Sequence, residues 1–161
     1  MIRIKRNTNG DTRVATHVPT VEEFDDSNHS HVNDVKNIMN DMSLHIKNIG
    51  EEHDWSKLVE PLKSQFYRDL CNTIEGRMDF SDGKWSKYHY STERHHLLRN
   101  VPEDVNLFDV LEMIADCVAA GLARSGDVRP LEIDNSVLVD AMNNTVTLVK
   151  SWCEIEGSDE E

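Results

Sequence analysis

The sequence predicts an all-α domain of about five helices behind a short extended N-terminus, and two observations carry the helical part of that prediction. Apolar residues recur at steps of three and four through Val35, Ile38, Met39, Met42, Ile46 and Ile49, which is the period of one helix face. The run LFDVLEMIADCVAAGLA, from Leu107 to Ala123, is apolar nearly all round and follows a capping Asn106, as expected of a central helix.

Taken in order, residues 1–27 read as a strand and loop extension, because MIRIKR alternates and is followed by Asn9-Gly10 and Pro19. A first helix is expected from about His29 to Ile49, with Gly50 as its stop. It places His31 one turn before Val35, on the stripe expected to be buried. A second helix is expected from about His53 to Ile74 through Leu58, Leu62, Phe66, Tyr67 and Leu70, with Pro61 delaying its start or kinking it. Residues 75–84 form a polar loop with two glycines, followed by the His-rich and aromatic-rich WSKYHYSTERHHLL. The helix from about Asn106 to Arg124 carries Asp109 near its positive dipole end. A last helix runs from about Asn135 to Trp152. The helical domain is thus expected over 28–153, with 154–161 an acidic, disordered tail.

The 161 residues suit one domain with a real core. A formal net charge of -13 argues against a binder of long nucleic acids or of anionic membranes, which needs clustered cations. A phosphate-bearing ligand must therefore be met locally, by a metal or a few cations. Cys71, Cys117 and Cys153 are widely spaced with no CxxC pair, a pattern of reduced thiols without a disulfide framework or Cys-based zinc site. The basic N-terminus lacks an apolar segment behind it, and no apolar run is long enough for a membrane span. A soluble, cytoplasmic protein is expected.

Candidate chemistry gathers around the eight histidines. Asp116, flanked by Ile114, Ala115, Cys117 and Val118, is costly to bury as a lone carboxylate and calls for a cation. A divalent ion held by His31, His53, Asp54 and Asp116 would satisfy it, and the mixed nitrogen and oxygen set suits Mn, Fe, Co, Ni or Zn better than Mg. Each residue also has a plainer reading. His31 reads equally well as a core or boundary histidine, His53 and Asp54 as a helix start, and Asp116 as the partner of Arg124. His95 and His96 diverge by about 100° on a regular helix, so they do not both face one site squarely, and His95 is favoured.

These residues carry a resemblance. A His, an adjacent His-Asp pair and a distant Asp within an apolar helix resemble the signature of the HD-domain phosphohydrolase superfamily, here His31, His53, Asp54 and Asp116. HDWSK at 53–57, HYSTERHHL at 89–97 and LEMIADCVAAG at 111–121 resemble an uncharacterised family of small HD-like proteins of phages and bacteria. The resemblance spans about residues 28–125. It implies an all-helical metal site that activates a water against a phosphoryl group. It also implies that His89, His95 and His96 are candidates to hold a second ion, so one or two ions per chain are expected. By the same similarity Lys57 is assigned to phosphate binding and, with Asp54, to catalysis; Arg94 and Arg124 are weaker candidates for phosphate. An Asn two residues before the paired histidines is common in the small family, whereas Glu93 stands here.

The expected activity is hydrolysis of a phosphomonoester or phosphodiester in a small phosphorylated molecule, a nucleotide first of all. The alternative is a non-catalytic interaction protein with a structural metal, such as a phage factor acting on a host component in the host cytoplasm. Homo-oligomerisation stays open.

Overall fold

The computed structural model describes residues 1–6 and 13–156. Among the described residues five α-helices dominate, as expected: β1 (Ile2–Ile4), α1 (Val21–Glu52), α2 (Leu62–Ile74), α3 (Lys84–Thr92), α4 (Leu107–Ser125), α5 (Asn135–Ser151) and β2 (Cys153–Ile155) follow one another along the chain. Two compact units are present, 1–47 with 146–161, and 48–145.

In the first unit β1 finds its partner at the far end of the chain. It pairs in parallel with β2, Ile2 opposite Cys153 and Ile4 opposite Ile155, and Arg3 Nε donates to Glu154 Oε1 across the pair at 2.9 Å. Asn9-Gly10, part of the signal for the strand and loop extension, lies outside the described residues. The tail expected from 154 gives up Glu154 and Ile155 to β2, and 157–161 lie outside the described residues.

α1 starts earlier than expected because Thr20 and Glu23 form a capping box. Glu23 N donates to Thr20 Oγ1 at 3.2 Å while Thr20 N donates to Glu23 Oε2 at 2.8 Å, which satisfies two otherwise orphaned N–H groups. The helix also runs through the expected stop at Gly50 to Glu52. No residue of α1 is buried. The stripe expected to be covered is only half covered: Val35, Met39 and Ile46 are exposed, Met39 at 57%, while Ile38, Met42 and Ile49 are partly buried. His31, expected on a buried stripe, is exposed as well.

The second unit holds the small core. Leu97, Val105, Val110, Met113 and Ala141 pack together, with Leu107, Cys117, Ile133, Val137 and Leu138 around them. α4 is capped as expected: Asn106 accepts from Phe108 N and Asp109 N, and the Asp109 carboxylate accepts from Asn106 N. Its central placement holds only for its first half. Phe108, Val110 and Met113 are buried, whereas Leu111, Ile114, Val118 and Leu122 are exposed.

The helix expected from His53 to Ile74 is divided. Asp54 takes left-handed angles (φ 55°, ψ 30°), a 3₁₀ turn over Trp55–Lys57 follows, and α2 begins only at Leu62, after Pro61. Proline lacks the N–H that a helix interior needs, so it marks the entrance. α2 then anchors α3. The Asp69 carboxylate, buried on α2, accepts from Trp85 N at 2.8 Å, and the Trp85 ring stacks between Phe66 (4.0 Å) and His89 (4.3 Å). At Gly83 a β-carbon would lie 2.7 Å from Asp69 Oδ2, so glycine permits this close approach.

Candidate metal centre

Four short pieces of the second unit converge. His53 and Asp54 come from the end of α1, where the left-handed backbone at Asp54 swings its carboxylate inward. His89 lies on α3, in the ring stack with Trp85. His95 and His96 sit in the turn after α3, which Arg94 secures. Its Nε and Nη2 donate to the two Asp109 oxygens at 2.7 and 2.9 Å, and Nη1 donates to Asp104 Oδ1 at 2.9 Å. Glu112 and Asp116 are four residues apart on α4 and so share one of its faces.

The ring nitrogens and carboxylate oxygens meet closely. Asp54 Oδ1 lies 3.4 Å from His89 Nε2 and 3.7 Å from His95 Nε2. Asp54 Oδ2 lies 3.2 Å from His53 Nε2 and also binds Lys57 Nζ. His53 Nε2 is 3.6 Å from Asp116 Oδ1, and His96 Nε2 is 2.6 Å from His89 Nε2. Behind the rings, His53 Nδ1 donates to Glu112 Oε1 at 2.9 Å, and Ser56 Oγ bonds His89 Nδ1 at 2.8 Å. His95 Nδ1 lies 3.0 Å from the same Glu112 oxygen, an ion-pair contact whose N–H is poorly aligned.

The electrostatics follow from burial and company. Burial pushes the His89 imidazole down to about 3, helped by His96, and burial with His95 nearby takes His96 to about 4. Burial opposes charge on His95 as well, yet Glu112 outweighs it and raises this ring. Burial would likewise raise Asp54 and Glu112. Lys57 with His53 holds Asp54 below the usual carboxylate range, and His95 with His53 does so for Glu112. The centre thus keeps two ionised carboxylates beside two imidazoles, His89 and His96, that stay neutral, which is the protonation state that metal ligation requires.

Two atoms test the fit to a cation. Asp54 Oδ1 and His95 Nε2 are buried with no hydrogen-bond partner, a costly arrangement for a carboxylate oxygen and a ring nitrogen. Ligand atoms about 2.1 Å from one ion stand roughly 3 to 3.5 Å apart, and the separations of 3.2, 3.4, 3.6 and 3.7 Å around Asp54 and His53 fall close to that range. Asp54, His89, His95 and His96 form one convergent group; His53, Asp54 and Asp116 form another. The residues present fit a divalent ion, and Asp54 belongs to both groups.

Most of the site expected from the sequence comes together here, with three corrections. His31 belongs to the first unit, and the convergent groups among the described residues are made without it. Arg94 is spent on Asp109 and Asp104 as a brace of the histidine turn. His95 and His96 both reach the centre, because residues 93–96 leave the helix and the 100° divergence no longer applies. Glu93, at the position where the small family commonly has Asn, is buried and accepts from Ser56 N at 3.3 Å. Glu112 and Ser56 were not anticipated. Glu112 could have been found by the reasoning applied to Asp116, since it too is a lone acid in the apolar run. Ser56 leaves no such trace.

A cleft of about 320 Å³ opens beside the centre, lined by Lys57, Tyr90, Arg99, Asp116 and Arg124 together with the three downstream histidines. Arg99 lies 5.8 Å from the Tyr90 ring centre, in cation–π contact. Fold and site together define a largely helical protein with a buried histidine–carboxylate centre. By sequence the chain belongs to a family of unknown function, DUF5662, whose model matches residues 20–150. No curated protein and no solved structure matches it. Among the described residues no helix is long and apolar enough to cross a membrane.

Proposed function

We propose that the chain is a metal-dependent phosphohydrolase of HD type that acts on a small phosphorylated molecule, a nucleotide in the first instance. The observation that carries this reading is the buried pair without partners, Asp54 Oδ1 and His95 Nε2, within a set of imidazole and carboxylate donors. His53, Asp54 and Asp116, with His89, His95 and His96, would hold one or two divalent ions. Such an ion supplies an activated water at neutral pH and offsets charge on phosphoryl oxygens.

The chain's own groups do the rest. Lys57 is ion-paired to Asp54 and lines the cleft, so its ammonium can meet a phosphoryl oxygen while staying beside that carboxylate. Arg124 lines the same cleft and is exposed. Its planar fork suits a phosphate. Tyr90, whose ring Arg99 overlies, lines the cleft as well. The cleft volume is at the small end for a ligand pocket, which agrees with a compact substrate. In an acidic chain these few cations supply the local positive field that the composition as a whole withholds.

The test is metal analysis of the purified protein followed by a panel of phosphatase, phosphodiesterase and nucleotidase substrates with Mn, Co, Ni and Mg added. Turnover that disappears in both Asp54→Asn and Asp116→Asn, with helical content unchanged, is the expected result. Bound metal without turnover on any substrate would favour the interaction protein with a structural ion. A protein that binds no divalent ion would end the metal reading altogether.

A further inference from the structure

We infer that Glu112 is a positioning residue that sets the tautomer of two imidazoles at once, turning the lone pairs of His53 Nε2 and His95 Nε2 toward Asp54 and Asp116; its bearing on metal affinity rests on the metal reading above. The inference comes from which atoms meet. Glu112 approaches both rings only from their Nδ1 side, through the single oxygen Oε1, at 2.9 Å for His53 and 3.0 Å for His95. The opposite nitrogens of those rings lie 3.2 Å and 3.7 Å from the two Asp54 oxygens.

A neutral imidazole has one N–H and one lone pair, and an ionised carboxylate can only accept. At neutral pH a glutamate carboxylate is ordinarily ionised. Carboxylates face both sides of each ring, but the Nδ1 contacts are the shorter ones, 2.9 against 3.2 Å for His53 and 3.0 against 3.7 Å for His95. A neutral ring therefore carries its proton on Nδ1 and leaves Nε2 free to bind a cation. The two rings lie side by side, with centres 4.6 Å apart, and one oxygen serves both. Ser56 stands in the same place behind His89. A hydroxyl can donate as well as accept, so Ser56 orients that ring without dictating where its proton sits.

Glu112 has another conceivable role, since its Oε1 and the two Nδ1 atoms could themselves hold an ion. Such an ion would use the Nδ1 lone pairs and turn both N–H groups toward the carboxylates. It would satisfy His95 Nδ1, which is without a partner, but it would leave two other buried atoms, Asp54 Oδ1 and His95 Nε2, facing each other unsatisfied at 3.7 Å.

Two measurements on the full chain decide the matter. In the metal-free protein at pH 8, ¹H–¹⁵N correlation of the histidine side chains should show His53 and His95 protonated at Nδ1, and Glu112→Ala should move both toward the Nε2–H form. Rings already in the Nε2–H form in the unsubstituted protein would overturn the inference, whether or not any metal binds. In Co(II) titrations Glu112→Gln, which keeps the size and an acceptor oxygen, should weaken affinity by roughly 10- to 100-fold, with the same number of ions per chain and the same visible spectrum. Unchanged affinity would remove the positioning role, and a lost ion or altered spectrum would make Glu112 a ligand instead. If the unsubstituted protein takes up no Co(II), the metal reading fails, while the tautomer measurement still tests the inference.

Discussion

Asp54 Oδ1 and His95 Nε2 lie 3.7 Å apart in the interior of the second unit, each without a hydrogen-bond partner. His95 is 1% exposed, so water has little access to relieve that ring. A cation between them would satisfy both atoms at once, and the folded state should be stabilised by anything that supplies one.

The first prediction is a thermal shift. A divalent ion at a concentration about 100-fold above its dissociation constant stabilises the state that binds it by about 2.7 kcal/mol. For a chain of this size that raises Tm by roughly 5 to 10 °C. Scanning fluorimetry with chelator against added Mn, Co, Ni or Zn gives the answer. Identical melting curves under all these conditions would count against the centre.

Arg94 provides the second prediction. Its bidentate pair with buried Asp109 and its bonds to Asp104 join the histidine turn to the start of α4. Arg94→Ala would leave Asp109 buried without its cation, so a loss of about 1–3 kcal/mol is expected, discounted because the arginine itself is partly exposed. Denaturant unfolding measures it. Arg124→Ala, at an exposed position on the cleft, should leave stability unchanged within about 0.5 kcal/mol. Equal stability of the two variants would refute the brace.

Gly83 provides the third. A β-carbon there would lie 2.7 Å from Asp69 Oδ2, the oxygen that accepts from Trp85 N. Gly83→Ala should therefore displace the start of α3 and destabilise by about 1–3 kcal/mol, the usual cost of overpacking. Because His89 stacks on Trp85, metal affinity should fall with it. A variant as stable as the parent would show that Asp69 can yield without cost.

The fourth concerns pH in the metal-free protein. His89 and His96 have folded values of about 3 and about 4 against 6.5 for the free side chain. Between those limits the unfolded chain binds more protons than the folded one, so stability rises with pH there. On acidification it should fall from about pH 6.5 down to about pH 4. Asp54 and Glu112, held low, act in the same direction as pH approaches the carboxylate range; His95, raised, opposes them. Urea midpoints at pH 7 and pH 5 with chelator present should differ in that order, and a higher midpoint at pH 5 would contradict it.

What could be read from the chain was what is local. The Asn106 cap and the boundaries of α4 depend on neighbours a few residues away, and they stand where the pattern puts them. Asp116, expected to be buried, faces His53 Nε2 at 3.6 Å but keeps 28% of its side chain exposed. The Thr20–Glu23 box is equally local and was open to the same reading. The stripe on α1 shows the limit of periodicity: spacing of three and four reveals that a helix has an apolar face, but not what covers it. His31 was assigned by that stripe and is exposed. The partners of Arg94, Asp104 and Asp109, lie ten and fifteen residues on and reach it only through the turn, so its pairing leaves no local trace. His95 and His96 were separated by a helix that ends before them.

The left-handed backbone at Asp54 carries a design constraint of its own. Only glycine, asparagine and aspartate take up φ near +55° at little cost, so this position is restricted twice over, in backbone by its angles and in charge by the imidazoles around it. Replacing it by alanine would change both together. Asparagine alone keeps the bend and a side chain of the same shape while removing the charge, which makes Asp54→Asn the substitution that separates what this residue does for the path of the chain from what it does for the centre.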